Sequence, residues 1–470
     1  MEKSLLYQAA RQLGRRDAQQ FEKWLRSPFF NQDEAVLRLW AYLAECRWAL
    51  GLAPEKEKGF AAAYPGERFQ GQKMRLLMSR LYKQLEQFLA YSELAKDKRL
   101  HHYHLARAFR HRKLWGHFQR ALGQAQQHLD DDSARNAAYY THRLQLQEEA
   151  HHLQSTNDPT EATHLQEMAD VTDRAYLIRR LRQSCLLLAH STVYHPDFDP
   201  GPMPALLRFA ESRELTGEPA IGLYYYCYRM LLHPESEEGF RAFQSRLFED
   251  GDCVSAVELR DLYLLAINYC VRQVNDGRQS FYRELYMLYQ KGLETGSLLE
   301  NGVLSRFTYH NIAATGLQAG EQEWVEQFIH QFRDALERPY RESSFSFCLA
   351  RLEYARKRFG EALSLLQKAN YRDPLLNLAT KTLQLKIYYE SGEAGLLAAH
   401  LDAMANYIRR KKVIGYHRAN YLNITRYAKK MAAANPYDQT EIAQLLEAIR
   451  QEEVLTERLW FLEQVKLLMR

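Results

Sequence analysis

The fold prediction for this chain rests on the stretch Ser343–Tyr389, which reads SSFSFCLARLEYARKRFGEALSLLQKANYRDPLLNLATKTLQLKIYY. It has the pattern of one helical hairpin that runs into the next. A small side chain at Ala350 lets two helices approach closely, an aromatic at Phe359 fills the gap between them, and Pro374 ends the second helix. The pattern of helix, short loop and helix recurs along the chain at roughly 35 to 45 residues, which is the period of helical solenoids.

The composition extends this prediction to the whole chain. At 470 residues the chain is long for one compact core, and its 22 Gly and 13 Pro are few, which suits long helices. We therefore expect an all-α fold, with a small N-terminal helical domain over residues 1–96 and an irregular α-solenoid of helical hairpins over residues 97–470. The proline-rich segment 195–204 is a candidate break, which we interpret as a loop because hairpins resume directly after it.

Helix start and stop signals are clearest near the N-terminus. Asp17, with Gln20 three residues later, predicts a helix start, and Ser27-Pro28 predicts its end because a proline disfavours helical geometry in the preceding residue. Asn31 with Glu34 predicts the cap of the next helix. Further along, the patterns predict one helix up to about Ala175 and a separate one from Tyr176 to Val193.

Two stretches of the chain resemble known families. The first resemblance is carried by SPFFN (27–31) together with PGERFQGQKMRLLMSRLYKQLEQFL (65–89). These residues resemble a family of uncharacterised bacterial helical proteins, and this resemblance implies no activity. Residues from about 306 to 410 resemble a tetratricopeptide-like repeat protein. The matching positions are Ala350, Phe359, Glu361-Ala362-Leu363, Ala369 and Pro374, and, in the next unit (377–407), Leu383, Gly392 and Ala403.

The tetratricopeptide resemblance implies a role in binding other macromolecules, with the first helix of each repeat lining a concave groove. It therefore predicts a protein–protein interaction scaffold or adaptor that binds a partner segment, with no catalytic residue. The groove residues that the repeat register indicates are Phe347, Arg351, Tyr354, Lys381, Leu385 and Tyr388. The alternative is that several of these side chains simply pack between hairpins. Phe347 and Thr382 replace the Lys/Asn pattern that grips a peptide C-terminus in some family members, so that ligand is not predicted.

A basic, Tyr-rich face over residues 407–430 supports an alternative function. Cations neutralise phosphates and tyrosines stack on unpaired bases, so this face could contact nucleic acid. The plainer interpretation is a solvated face whose cations complement a helix C-terminus. The candidate basic patch consists of Arg409, Arg410, Lys411, Lys412, Arg418, Arg426, Lys429 and Lys430, with Tyr407, Tyr416, Tyr421 and Tyr427 interleaved.

A third hypothesis is a metal-dependent all-α enzyme at a His-rich hairpin. Glu148 with His151, and Glu161 with His164, have the spacing that places a carboxylate and an imidazole on one helix face. Both pairs are predicted at the same hairpin tip, where water competes, so we predict neither a metal site nor a cofactor.

Targeting and redox signals point to the cytoplasm. The N-terminus has no apolar segment of a secretory signal, and no run of about 18 apolar residues suggests a membrane span. The six cysteines are scattered without a CxxC motif, which is typical of reduced thiols. We expect a cytoplasmic protein whose partner is another protein, with nucleic acid less favoured and no membrane association.

Overall fold

The all-α prediction is confirmed. The computed structural model describes residues 1–47, 51–157, 163–194, 198–368, 373–410 and 416–469. Helix makes up 78% of the chain, and the helices pack in consecutive pairs. Within the described ranges there is no β-strand, only two isolated bridges, Glu300 with Val303 and Leu304 with Leu336.

The chain divides into two compact units, Met1–Tyr176 and Leu177–Arg470. The division falls inside a single long helix, Thr163–Tyr194. A separate N-terminal domain over residues 1–96 stays a prediction. What the structure shows for this region is one hydrophobic core, built from buried residues between Leu6 and Phe88.

The helices of the first unit follow one another with short connections. They are α1 (Leu5–Ala10), α2 (Arg15–Arg26), α3 (Glu34–Glu45), α4 (Lys56–Ala63), α5 (Gly71–Lys96), α6 (Lys98–His111), α7 (Trp115–Asp130) and α8 (Ala137–Asn157), and α9 (Thr163–Tyr194) continues into the second unit.

Two predicted helix starts in the first unit were wrong. Helix α2 begins at Arg15 after Gly14, two residues before Asp17. Asp33, and not Asn31, caps α3 by accepting a hydrogen bond from the Ala35 amide. The Asn31 side chain instead donates to the carbonyl oxygens of Leu25 and Asp33, which holds the turn between the two helices. Both asparagine and aspartate cap helices well, so spacing alone could not choose between them.

The helices of the second unit continue the same pairing. They are α10 (Met203–Ser212), α11 (Pro219–Leu232), α12 (Glu237–Asp250), α13 (Ala256–Asn275), α14 (Phe281–Glu294), α15 (Arg306–Gln318), α16 (Gln322–Gln331), α17 (Arg341–Ala355), α18 (Phe359–Lys368), α19 (Pro374–Glu390), α20 (Ala394–Arg410), α21 (Tyr416–Ala433), α22 (Gln439–Gln451) and α23 (Arg458–Leu468).

The predicted interruption between Ala175 and Tyr176 does not exist, because α9 is continuous through this point. Val171, Ala175 and Ile178 are all buried, and their spacing of four and then three residues keeps them on one helix face. No glycine or proline lies between them to end the helix.

The stretch Ser343–Tyr389 contains most of α17, all of α18 and almost all of α19. Ala350 is completely buried, as a small residue at a close helix contact should be. Pro374 lies in the first turn of α19, where Asp373 accepts hydrogen bonds from the Leu375 and Leu376 amides at 2.8 and 3.2 Å. The proline therefore opens the following helix, a position it favours because its missing N–H is not needed there. Ala369 lies outside the described residues.

Helices α15 and α16 approach closely at Gly316. A Cβ atom at this position would lie 2.4 Å from Cγ2 of Val325, which is itself completely buried. Gly395 in α20 provides a comparison, because a Cβ atom there would meet nothing within 4 Å.

We predict that Gly316→Ala destabilises the protein by about 1–3 kcal/mol, because the added methyl group overpacks the contact with Val325. Gly395→Ala, in the same unit, should leave stability unchanged or raise it by up to about 1 kcal/mol, since alanine favours helix. Urea unfolding of the wild type and both variants measures the two effects. Equal stabilisation by the two substitutions would contradict the close approach at Gly316.

Candidate functional site

The second unit contains a cavity of about 610 Å³ whose walls come from α15, α17, α19 and α21 and from the turn before α23. We call it the odd-helix cavity. Three of these helices, α15, α17 and α19, are the first members of consecutive pairs with α16, α18 and α20. Its volume lies in the usual range of ligand pockets, about 300–1,000 Å³.

The structure brings together half of the predicted groove residues. Phe347, Arg351 and Tyr354 of α17 line the odd-helix cavity. Lys381, Leu385 and Tyr388 of α19 are not among its lining residues.

These three residues have other surroundings. Leu385 lies in the core and is completely buried. The Lys381 ammonium lies 5.7 Å from the ring centre of Tyr407, and the Tyr388 ring packs edge-on against His400 at 5.4 Å. The plainer interpretation, packing between helices, therefore describes these three positions.

The face of α19 that lines the cavity is offset from the predicted one. It carries Ala379, Leu383 and Lys386, which recur every three to four residues as one helix face requires. The predicted residues Lys381, Leu385 and Tyr388 each lie two positions further along the helix, which places them on another face.

The sequence did not predict the other lining residues, and several of these carry charge or can titrate. Arg306 and His310 lie one turn apart on α15, and Glu457 lies in the turn before α23. The spacing of Arg306 and His310 was an available signal, because it marks one face of the first helix in the preceding pair. Nothing local marked Glu457.

Two ion pairs cross the odd-helix cavity. Arg306 Nη2 donates to Asp373 Oδ2 at 2.7 Å, with both side chains largely buried, and the guanidinium also covers the Tyr340 ring at 3.7 Å. Lys386 pairs with Glu457. Burial acts to raise the pKa of Glu457, but the cations Lys386 and Arg351 outweigh it and lower the pKa. Glu457 is therefore charged at neutral pH.

His310 also faces the odd-helix cavity. Burial, reinforced by the positive charges of Arg351 and Arg306, lowers its pKa to about 4. Its Nε2 atom is buried and has no hydrogen-bond partner among the described residues. At neutral pH His310 is therefore an uncharged imidazole with one ring nitrogen left unpaired.

Tyr354, at the edge of the odd-helix cavity, takes part in a structural network. The side chain of Glu390 is 8% exposed and accepts hydrogen bonds from the Tyr354 hydroxyl, from Lys357 Nζ at 2.6 Å and from Trp460 Nε1 at 2.8 Å. Burial would raise the pKa of Glu390, but these three donors together lower it. The carboxylate connects α17, α19 and α23.

The predicted basic face contains several satisfied side chains. Arg426 pairs with Glu452, and Lys429 pairs with Asp402 at 2.7 Å. Tyr427 is buried, and its hydroxyl donates to the Ala448 carbonyl at 3.0 Å. The expectation that this tyrosine could stack on bases was therefore wrong, because its ring belongs to the core. Arg409, Arg410, Arg418 and Lys430 are exposed, whereas Lys411 and Lys412 lie outside the described residues.

The His-rich hairpin shows ring contacts between histidines. The rings of His102 and His128 stack with their centres 5.3 Å apart. In the part of the chain that the structure describes, no group of three or more His, Cys, Asp or Glu side chains is placed to hold a metal ion. Glu161 lies outside that part, so its predicted pairing with His164 is not described.

A larger cavity, of about 880 Å³, lies in the first unit between α1, α5 and residues 53–57. The charges of its lining side chains balance, with Glu2, Glu55 and Glu57 against Lys3, Lys56 and Arg75. The odd-helix cavity is the better candidate site because three of the predicted groove residues line it.

No helix in the described ranges combines the length and the apolar character that a membrane span requires.

We predict that Glu390→Gln destabilises the protein by about 1–3 kcal/mol at pH 7, because three donors lose their charged acceptor. Since the folded-state pKa of Glu390 is lowered, its stabilisation is present above the ordinary value of about 4.3 and is lost as the pH falls through the folded value. The difference between wild type and variant in urea unfolding should therefore shrink in acid.

Glu361→Gln is the control for this prediction. Glu361 is 65% exposed and lies 3.8 Å from Arg358, so its replacement should change the free energy of unfolding by less than about 0.5 kcal/mol. A Glu390→Gln effect that stayed constant between pH 7 and pH 3.5 would show that the charge of Glu390 does not stabilise the network.

We also predict that the His310 ring stays uncharged from pH 7.5 to pH 5 in the folded protein. In the unfolded chain a histidine takes up its proton near pH 6.5, so His310 lowers stability as the pH falls from about 6.5 towards its folded pKa of about 4. The NMR ring-proton signal that disappears in His310→Gln identifies the residue. A titration midpoint near 6.5 for that signal would contradict the burial of His310.

Comparison of the chain with models of known protein families, with curated proteins and with solved structures found no match. What is shown of the chain is therefore its architecture, an all-helical protein of many packed helix pairs, with no family identified.

Proposed function

We propose that this protein is a non-catalytic scaffold or adaptor that holds a segment of another protein in the odd-helix cavity. The observation that carries the proposal is that successive first helices, α15, α17 and α19, contribute to one cavity. This is the arrangement that the tetratricopeptide resemblance implies for its groove. The cavity also draws on residues of α21 and of the turn before α23.

The lining of the odd-helix cavity supports a peptide ligand. Phe307 lies at the cavity and is 57% exposed, although it is a large apolar side chain. The apolar part of the lining also includes Leu375, Leu376 and Leu383. The ion pairs of Arg306 and Lys386 supply a polar part. Aromatic anchors with arginine and a polar rim are typical of protein-binding surfaces.

The cytoplasm is the compartment that fits this proposal. All six cysteines are buried free thiols, which persist where the surroundings are reducing.

The test uses a photo-crosslinking amino acid, p-benzoylphenylalanine, in place of Phe307 or of Leu396. Leu396 is a matched control because it is 54% exposed, lies in the same unit and does not line the odd-helix cavity. After illumination in lysate of the source organism, position 307 should yield a discrete crosslinked protein that position 396 does not. Phe307→Ala should also recover less of that protein than Leu396→Ala. The same crosslinked species from both positions, or none from position 307, would refute binding in the cavity.

A further inference from the structure

The odd-helix cavity carries one positive charge that its own side chains do not balance. Arg306 is paired with Asp373, and Lys386 is paired with Glu457. Arg351, between them in the lining, makes no ion pair or hydrogen bond with a described residue. Its guanidinium carbon lies 5.8 Å from the ring centre of Phe347, and its charge reaches Glu457 only at longer range.

Part of the lining around Arg351 is apolar and aromatic. Phe307, Phe347 and Leu383 line the same cavity. A charge in such surroundings interacts more strongly with an anion than it would in water, because the local dielectric is lower.

From this charge pattern we propose that the odd-helix cavity binds a peptide segment that places one aspartate or glutamate side chain on Arg351 and a neighbouring apolar side chain against Phe307. The inference rests on the proposed function and adds the chemistry of the ligand to it. One carboxylate balances the one uncompensated cation, and its two oxygens match the fork of N–H donors on a guanidinium.

A phosphate group fits this cavity less well. It brings between one and a half and two negative charges at pH 7, while the lining offers one unpaired cation. The excess charge would lie in a cavity whose walls are apolar in part, where uncompensated charge is costly. A nucleic acid repeats one negative charge at every nucleotide, and the lining offers one unpaired cation for the whole series.

The experiment selects ligands from a random library of twelve-residue peptides displayed between two fixed flanking sequences, so that no free carboxyl terminus is present. The full chain is the target. We expect the enriched peptides to share one Asp or Glu beside an apolar residue. The best peptide is then made synthetically with both ends capped, in a Glu form, a Gln form and a phosphoserine form, and its affinity is measured by fluorescence polarisation.

We expect the Gln form to bind wild-type protein at least about tenfold more weakly than the Glu form, which corresponds to about 1.4 kcal/mol. Against Arg351→Met the two forms should bind equally, because the interaction that distinguishes them is gone. Arg351→Lys keeps the charge and should retain part of the preference. The comparison of peptides on wild-type protein is decisive even if Arg351→Met fails to fold.

The outcomes separate the inference from the proposed function. Enrichment of no peptide would refute the proposed function and the inference with it. Enriched peptides without an acidic residue, equal binding of the Glu and Gln forms, or tighter binding of the phosphoserine form would overturn the inference while leaving peptide binding in place. The inference would also be overturned if peptides were selected only from a library with free carboxyl termini and not from the library with fixed flanking sequences.

Discussion

The structure depends on one packing constraint, which is that a pair of amphipathic helices cannot cover its own apolar surface. Each helix of a pair buries one stripe against its partner and keeps apolar side chains on other faces. Neighbouring helices must supply the remaining cover. In the second unit this constraint produces the succession from α11 to α23, and small residues such as Gly316 and Ala350 set how closely the helices approach.

The same constraint explains how the odd-helix cavity arises. Pairs that stack through their apolar faces leave the first helices side by side, and polar residues on their remaining faces come together without local sequence signals. The ion pair of Arg306 with Asp373 joins residues 67 positions apart, and the hydrogen bond of Trp460 to Glu390 joins residues 70 positions apart. These contacts hold the walls in place, and Arg351 is left as a cation that makes no ion pair with any residue the structure describes.

The sequence predicted the fold class and most helices because helical periodicity and breakers are local properties. The proline at position 374 was predicted to end one helix, and the structure places it in the first turn of the next. The errors occurred where two local signals were equivalent, as with Asn31 and Asp33, or where a missing breaker was not given enough weight, as at Ala175. The three candidate site residues on α17 line the odd-helix cavity, but those on α19 do not, because helical periodicity groups residues into faces without showing which face meets the cavity.

The long sequence separations in the odd-helix cavity have a consequence for synthesis. Its wall begins at Arg306 and is completed only by Glu457, near the end of the second unit. On the ribosome, helices α15 to α18 can pair soon after they emerge, since their contacts are local. The cavity itself is incomplete until the last turn has been made, so a nascent chain presents helical pairs to the cell well before it presents a finished site.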